Sequence, residues 1–184
     1  RIGAKSNPYG RLPNGVRHIL KQSFRIGFGY DIHRFAKRRK LILGGVEIPY
    51  KYGLCGHSDA DVVLHSISDA ILGACGLEDI GVHFPDTDSK YKNISSKIIL
   101  DKVCQMAYQK GYRAINIDCT IVAEEPKISN YRHKMKKNIA EIIGLNPDCV
   151  NIKATTNETL GDIGKGRAIC AYAICLLTKR LRTA

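Results

Sequence analysis

The run Gly29, Tyr30, Asp31, Ile32, His33 and the later stretch from Gly56 to His65 hold the side chains best suited to chemistry. Asp31 and His33 are two positions apart, so on an extended segment they point to the same side and can grip one ion together. His65 would add a second imidazole from a following helix. One carboxylate and two imidazoles with a vacant position describe a catalytic divalent metal. A closed structural site would use four ligands, usually rich in thiolates. The nitrogen-rich set suits Zn²⁺ and disfavours Mg²⁺, which prefers oxygen. Each piece alone has a plain alternative: a turn aspartate beside a surface histidine, or a packed helical histidine. Their combination points to an enzyme.

Three further clusters are chemically suggestive. His57, Ser58 and Asp59 precede a helix, where unpaired N–H groups and the helix dipole favour anions; Ser58 or Asp59 could equally be an ordinary N-cap. The segment Phe84, Pro85, Asp86, Thr87, Asp88 is either an Asx-type turn or a loop ordered beside the site. Lys153 to Glu158 ends a strand in hydroxyls and a carboxylate, suited to phosphate oxygens and a second cation, with Glu158 as oxygen ligand for Mg²⁺ or Mn²⁺. Gly161 to Gly166 lacks the Walker spacing and feeds a strand, which argues against a P-loop. Lys127 is a solvated lysine unless it stands beside a nucleotide.

Periodicity outlines the elements that must position these groups. Phe24 to Tyr30 reads as a strand leading into a turn at Asp31 and His33, and Leu41 to Leu43 with Val46 to Ile48 as a hairpin around Gly44 and Gly45. From Asp61 to about Cys75, Leu64, Ile67, Ile71 and Ala74 recur at helical spacing, which puts Asp61, His65 and Asp69 on one face. Gly81 to Ser89 reads as a polar loop. Helices are predicted over Ser95 to Lys110 and Ile128 to Ile143, closed by Gly111 and Gly144. Strands are predicted over Ala114 to Val122, Val150 to Ala154 and Ala168 to Leu177. The order gives an α+β fold, a mixed β-sheet with helices packed on one face. The last strand is apolar on both faces, so its second face would be buried by neighbouring subunits.

Bulk properties limit the function classes. At 184 residues, 44% hydrophobic and 25% charged, the chain suits a single globular domain over residues 25 to 184. Of the net charge of +12, residues 1 to 24 carry +5 and Arg34 to Lys40 another +5, leaving +2 for the remainder. The arm of residues 1 to 24 has no acid and no apolar periodicity, which resembles a disordered extension or an organelle transit peptide remnant. No stretch approaches the ~20 apolar residues of a membrane span. Seven cysteines without a Cys-x-x-Cys pair predict free thiols and no zinc knuckle.

The motifs from Gly29 to His33, Leu43 to Pro49, His57 to His65, Asp69 to Ala74, Asp79 to Asp88 and Lys153 to Gly161 occur in the order that resembles the 2-C-methyl-D-erythritol 2,4-cyclodiphosphate synthases of the non-mevalonate isoprenoid pathway. The resemblance spans residue 25 to about 178. It implies a homotrimer with its sheets facing the three-fold axis and active sites between subunits. The implied reaction cyclises 4-diphosphocytidyl-2-C-methyl-D-erythritol 2-phosphate and releases CMP. Carried onto this chain, Asp31, His33 and His65 would bind zinc, with Glu158 on a second divalent ion. His57, Ser58, Asp79, Ile80, Gly81 and Phe84 to Asp88, including Pro85, Asp86 and Thr87, would surround the methylerythritol phosphate. The cytidine diphosphate would lie against Ala123, Pro126, Lys127, Ile128 and Ser129, with Ala154, Thr155, Thr156 and Glu158, contributed by a neighbouring subunit. His57 and Thr156 would act electrostatically. The pathway and the arm suggest a plastid-type organelle, or the cytoplasm in a bacterium. Asp162, Lys165 and Arg167 depart from the family pattern where members often carry an aromatic residue, an arginine and a glutamate. Two rival readings are a metal-dependent phosphoesterase that uses water on a nucleotide diphosphate, and a nucleic-acid-binding module built on the basic arm and loop.

Overall fold

The long first strand, β1 (Phe24–Ala36), sets the frame. Computed as a structural model, the protein is described over residues 23 to 180. The basic arm predicted for residues 1 to 24 therefore lies outside the described residues, except for Ser23 and Phe24. A hairpin of β2 (Leu41–Leu43) and β3 (Val46–Ile48) follows, then β4 (Gly53–Leu54) and helix α1 (Val62–Cys75). Next come α2 (Ile80–His83), α3 (Ser96–Gln109), β5 (Tyr112–Val122), α4 (Arg132–Ile143), β6 (Val150–Thr155), α5 (Gly161–Gly164) and β7 (Ala168–Lys179).

Five strands form one sheet in the order β4, β1, β7, β5, β6. Only the β5–β6 pair is parallel, so the sheet is mixed, in agreement with the predicted α+β class. Helix α1 lies across β1 and β7. It is almost wholly buried, with Leu64, Ile67, Ala70 and Leu72 at 0% exposure. Its close approach to β1 depends on Gly27 and Gly29. A Cβ on Gly27 would lie 1.7 Å from the Ala70 carbonyl oxygen, so nothing larger than glycine leaves room for the helix backbone. The alternate residues Phe24, Ile26, Phe28, Tyr30 and Ile32 point away from α1 and are exposed, together with Tyr172 and Ile174 of β7.

Several boundaries differ from the sequence-based expectation. Asp31 and His33 lie inside β1 and not in a turn, because β1 stays paired with β7 through Arg34. Neither Ser58 nor Asp59 caps α1; Asp61 does, accepting from the N–H groups of Val63 and Leu64 at 3.1 Å. The same fully buried carboxylate accepts from Gly44 and Gly45 at 2.9 and 2.6 Å, tying the β2–β3 turn to the helix. Burial pushes the Asp61 carboxyl up to about 6, against the pull of the Gly45 and Gly44 N–H groups. The predicted loop from Gly81 to Ser89 contains most of α2 and runs into a 3₁₀ turn, Ser89–Tyr91. Another 3₁₀ turn, Ser129–Tyr131, precedes α4 and delays its start.

Candidate active site

Alternation along β1 puts Asp31 and His33 on the same side as Gly27 and Gly29, facing α1. One turn into α1, His65 meets them. His65 Nδ1 is 2.8 Å and His33 Nε2 2.9 Å from Asp31 Oδ2, and the two histidine nitrogens are 3.3 Å apart. This is the one group of three or more potential metal ligands found among the described residues, its donor atoms lying within 4.8 Å of one another. Acceptor atoms crowded this closely repel unless a proton or a cation stands between them. The donor set therefore suits a divalent metal, and its two nitrogens favour zinc. Without a metal, protons do the work. Burial pushes the Asp31 carboxyl up, but the bonds from His33 and His65 outweigh it and hold the group well below the usual carboxylate range. Burial opposes charge on His65, yet its bond to Asp31 raises its pKa overall.

The three residues open onto a cleft of about 400 Å³. Pairing of β4 with the end of β1, continued by the bond from Cys55 N–H to the Arg34 carbonyl, carries the chain into Gly56, His57 and Ser58 on one wall. The opposite wall is α2 and the residues after it. Asp69 of α1 accepts from the Ile80 N–H at 2.8 Å and fixes where α2 begins, and Asp79 caps it through Val82. Of the predicted methylerythritol-phosphate set, His57, Ser58, Ile80, Gly81, Phe84 and Asp86 line the cleft. Asp79 and Asp88 cap the helices around it, Pro85 accepts from the Asp88 N–H, and Thr87 is exposed.

The predicted nucleotide residues form a second cluster, at the ends of the parallel strands β5 and β6, and none of them lines that cleft. The Ala123 N–H donates to the Thr155 carbonyl at 3.0 Å. Thr156 Oγ1 donates to Glu158 Oε1 at 2.7 Å. Lys127, Ser129, Ala154 and Thr155 are exposed and Pro126 is half-buried, while the side chains of Ala123 and Ile128 belong to the core and leave only their backbone for a ligand.

Some residues of the site carry no recognisable sequence signal. Arg39, one of the basic residues between Arg34 and Lys40, reaches in and donates to the carbonyls of Gly56 and Ser58, the first at 2.9 Å. Ser96 backs His65 from behind and is held in turn by Asp59, one of the three residues read as preceding the helix. Glu124 accepts from the N–H groups of Asn157 and Thr159 at 2.9 and 3.3 Å. It holds a loop in which Glu158 and Thr159 have φ of 51° and 62°. Tyr91, Ile94 and Ile99 complete the cleft from the far side. A serine hydroxyl or a loop arginine is too common to single out before its partner is known.

Comparison with known proteins follows the same outline. The YgbB family matches residues 24 to 178. A 2-C-methyl-D-erythritol 2,4-cyclodiphosphate synthase of Alkaliphilus metalliredigens is 57% identical over 150 residues, which are 82% of this chain and 94% of the relative. A synthase of the same name from Clostridium novyi is 54% identical over 156 residues, 85% of this chain and 99% of the relative. Among solved structures, the CDP complex of Plasmodium falciparum IspF superposes with a TM-score of 0.76 at 38% identity, covering 86% of this chain and 98% of that one. The bifunctional IspDF of Campylobacter jejuni gives a TM-score of 0.83 at 40% identity, with this chain spanning 43% of that longer protein. The plastid-type address expected from the arm finds no support in these two curated relatives, which are bacterial, and the family match begins after nearly all of the arm. No helix among the described residues is long and apolar enough to cross a membrane.

Proposed function

The chain belongs to the YgbB family, and from that membership we propose that it converts 4-diphosphocytidyl-2-C-methyl-D-erythritol 2-phosphate into 2-C-methyl-D-erythritol 2,4-cyclodiphosphate and CMP. An oxygen of the 2-phosphate bonds to the β-phosphorus of the same molecule while the anhydride bond to the α-phosphate breaks, and CMP leaves with the bridging oxygen. Attacker and leaving group belong to one substrate, so the protein supplies no nucleophile. Its task is to fold the substrate until the two are in line, a geometric gain on the order of 7 to 11 kcal/mol, and to neutralise crowded charge. Asp31, His33 and His65 would hold one metal ion and Glu158 would hold a second, and these ions would supply Lewis-acid stabilisation of phosphoryl oxygens. His57 and Ser58 offer polar groups on the cleft wall, Phe84 and Ile80 exclude water, and Thr156 and Lys127 bind the nucleotide phosphates.

The metal triad carries the reading. The separation of the nucleotide residues from the metal cleft within one protomer supports sites shared between subunits. The exposed apolar face of β1 and β7, with Ile26 at 74% and Phe28 at 61% exposure, supports a homotrimer that closes its sheets around a three-fold axis. The decisive experiment incubates the protein with the cytidylyl substrate, Zn²⁺ and Mg²⁺ in H₂¹⁸O and follows products by mass spectrometry. Cyclic diphosphate and CMP without ¹⁸O are expected. Linear product carrying ¹⁸O would instead assign a phosphoesterase.

A further inference from the structure

The imidazole of His65 is contacted on both edges. Nδ1 faces Asp31 and His33, while Nε2 lies 2.9 Å from Ser96 Oγ and 3.2 Å from Ser58 Oγ. Ser96 is fully buried. Its hydroxyl donates to the Asp59 carboxylate, which also accepts from the Ser96 backbone N–H at 3.0 and 3.1 Å. A serine has one proton to give and a carboxylate only accepts, so Ser96 Oγ meets Nε2 as an acceptor. Nε2 therefore bears a hydrogen, and the proton that Nδ1 shares with Asp31 in the metal-free protein is the one a cation would displace, freeing the Nδ1 lone pair for the metal.

From this chain of bonds we infer that Asp59 and Ser96 are positioning residues, which fix His65 in the Nε2–H tautomer and thereby set the affinity of the Asp31, His33, His65 centre for zinc. The inference rests on the metal reading above and adds what makes the third ligand available. The bland alternative is that Asp59 only caps α3, since the N-cap residue Ser95 makes no side-chain cap bond. Replacing Ser96 by alanine separates the two roles, because the bonds from the Ser96 backbone N–H to Asp59 remain and only the hydroxyl is lost.

The test measures zinc affinity by competition with a chromophoric chelator for the parent, Ser96→Ala and Ser96→Thr proteins, and records ¹⁵N spectra of the parent histidines with and without zinc. Ser96→Ala should weaken zinc by about 10- to 100-fold, the usual effect of removing a partner behind a ligand, and Ser96→Thr should restore most of it. The zinc-loaded parent should show His65 metallated at Nδ1 and protonated at Nε2, a readout that needs no variant to fold. Zinc on Nε2, or a Ser96→Ala affinity within roughly twofold of the parent, overturns the inference alone. A parent that binds no zinc overturns the metal reading and this inference with it.

Discussion

Gly29 of β1 and Ser66 of α1 meet backbone to backbone: a Cβ added to Gly29 would lie 1.9 Å from the Ser66 carbonyl oxygen. The contact sits two residues before Asp31 and one after His65, so it sets the spacing between the strand and the helix that supply the metal ligands. Gly29→Ala must push α1 off the sheet. Loss of about 1–3 kcal/mol or more, the cost of overpacking against an unyielding backbone, is expected in urea denaturation, together with reduced zinc content. An alanine variant with parental stability and full zinc content would contradict this account of the close packing.

Asp31 is the shared partner, its Oδ2 within 2.9 Å of both histidine nitrogens. Asp31→Asn keeps the shape and removes the charge, so zinc content and nearly all turnover should be lost while circular dichroism is unchanged. Full activity in metal-analysed Asp31→Asn protein would defeat the assignment.

The same pair predicts a pH dependence. In the metal-free protein the depressed Asp31 pKa contributes stability present above its ordinary value of 3.8 and lost as pH falls through the lowered folded value. The raised His65 pKa contributes stability present below its ordinary value of 6.5 and lost as pH rises through the raised folded value. Zinc displaces the His65 proton, so its affinity should climb up to about tenfold per pH unit until that pKa is passed. Melting curves with and without zinc should diverge as pH rises through the ordinary His65 value of 6.5. A gap that stays constant there would show that no proton is displaced.

Much of this was legible in the sequence, for physical reasons visible in particular residues. Asp31 and His33 share a face because strands repeat every two residues, and apolar spacing from Leu64 to Ala74 marks the helix that brings His65. The hairpin around Gly44 and Gly45 was readable because both positions have positive φ, 57° and 71°, which glycine adopts freely. Local pattern failed where a distant partner decides. Ser58, Asp59 and Asp61 are all competent N-caps, and only the Gly44 and Gly45 donors select Asp61. Helix α2 spans four residues, too few for periodicity to register. Arg39 reads as solvated charge until the Gly56 and Ser58 carbonyls are placed beside it.

Asp61 is a second point where one substitution should be informative. Oδ1 accepts from Gly44, Val63 and Leu64, and Oδ2 from Gly45. Asp61→Asn turns one acceptor into a donor facing an N–H group, which orphans it at a cost of about 1–3 kcal/mol. The loss should appear in urea denaturation. Because the β2–β3 turn is released, exchange of the Gly44 and Gly45 amides should accelerate more than that of α3. Uniform acceleration would mean that the carboxylate stabilises the whole fold without a local role.

Glu124 holds the loop that carries Thr156 and Glu158. Glu158 and Thr159 both occupy the left-handed region, at about 1–2 kcal/mol each for residues with a side chain. The Glu124 carboxylate offsets that cost by accepting from the flanking Asn157 and Thr159 N–H groups. Glu124→Ala removes the acceptor for these two donors, and the loop should relax away from the arrangement that pairs Thr156 with Glu158. A charge-assisted hydrogen bond of about 1.5–3 kcal/mol corresponds to roughly 10- to 100-fold in kcat/KM for the cytidylyl substrate. Zinc affinity and melting temperature should hardly change, since the loop is largely exposed and stands apart from the metal cleft. Glu124→Gln keeps an acceptor oxygen at the same reach and should recover most of the activity. Parental kinetics in Glu124→Ala would mean that the loop needs no brace, and a matching fall in zinc affinity would mean that the two clusters are not independent.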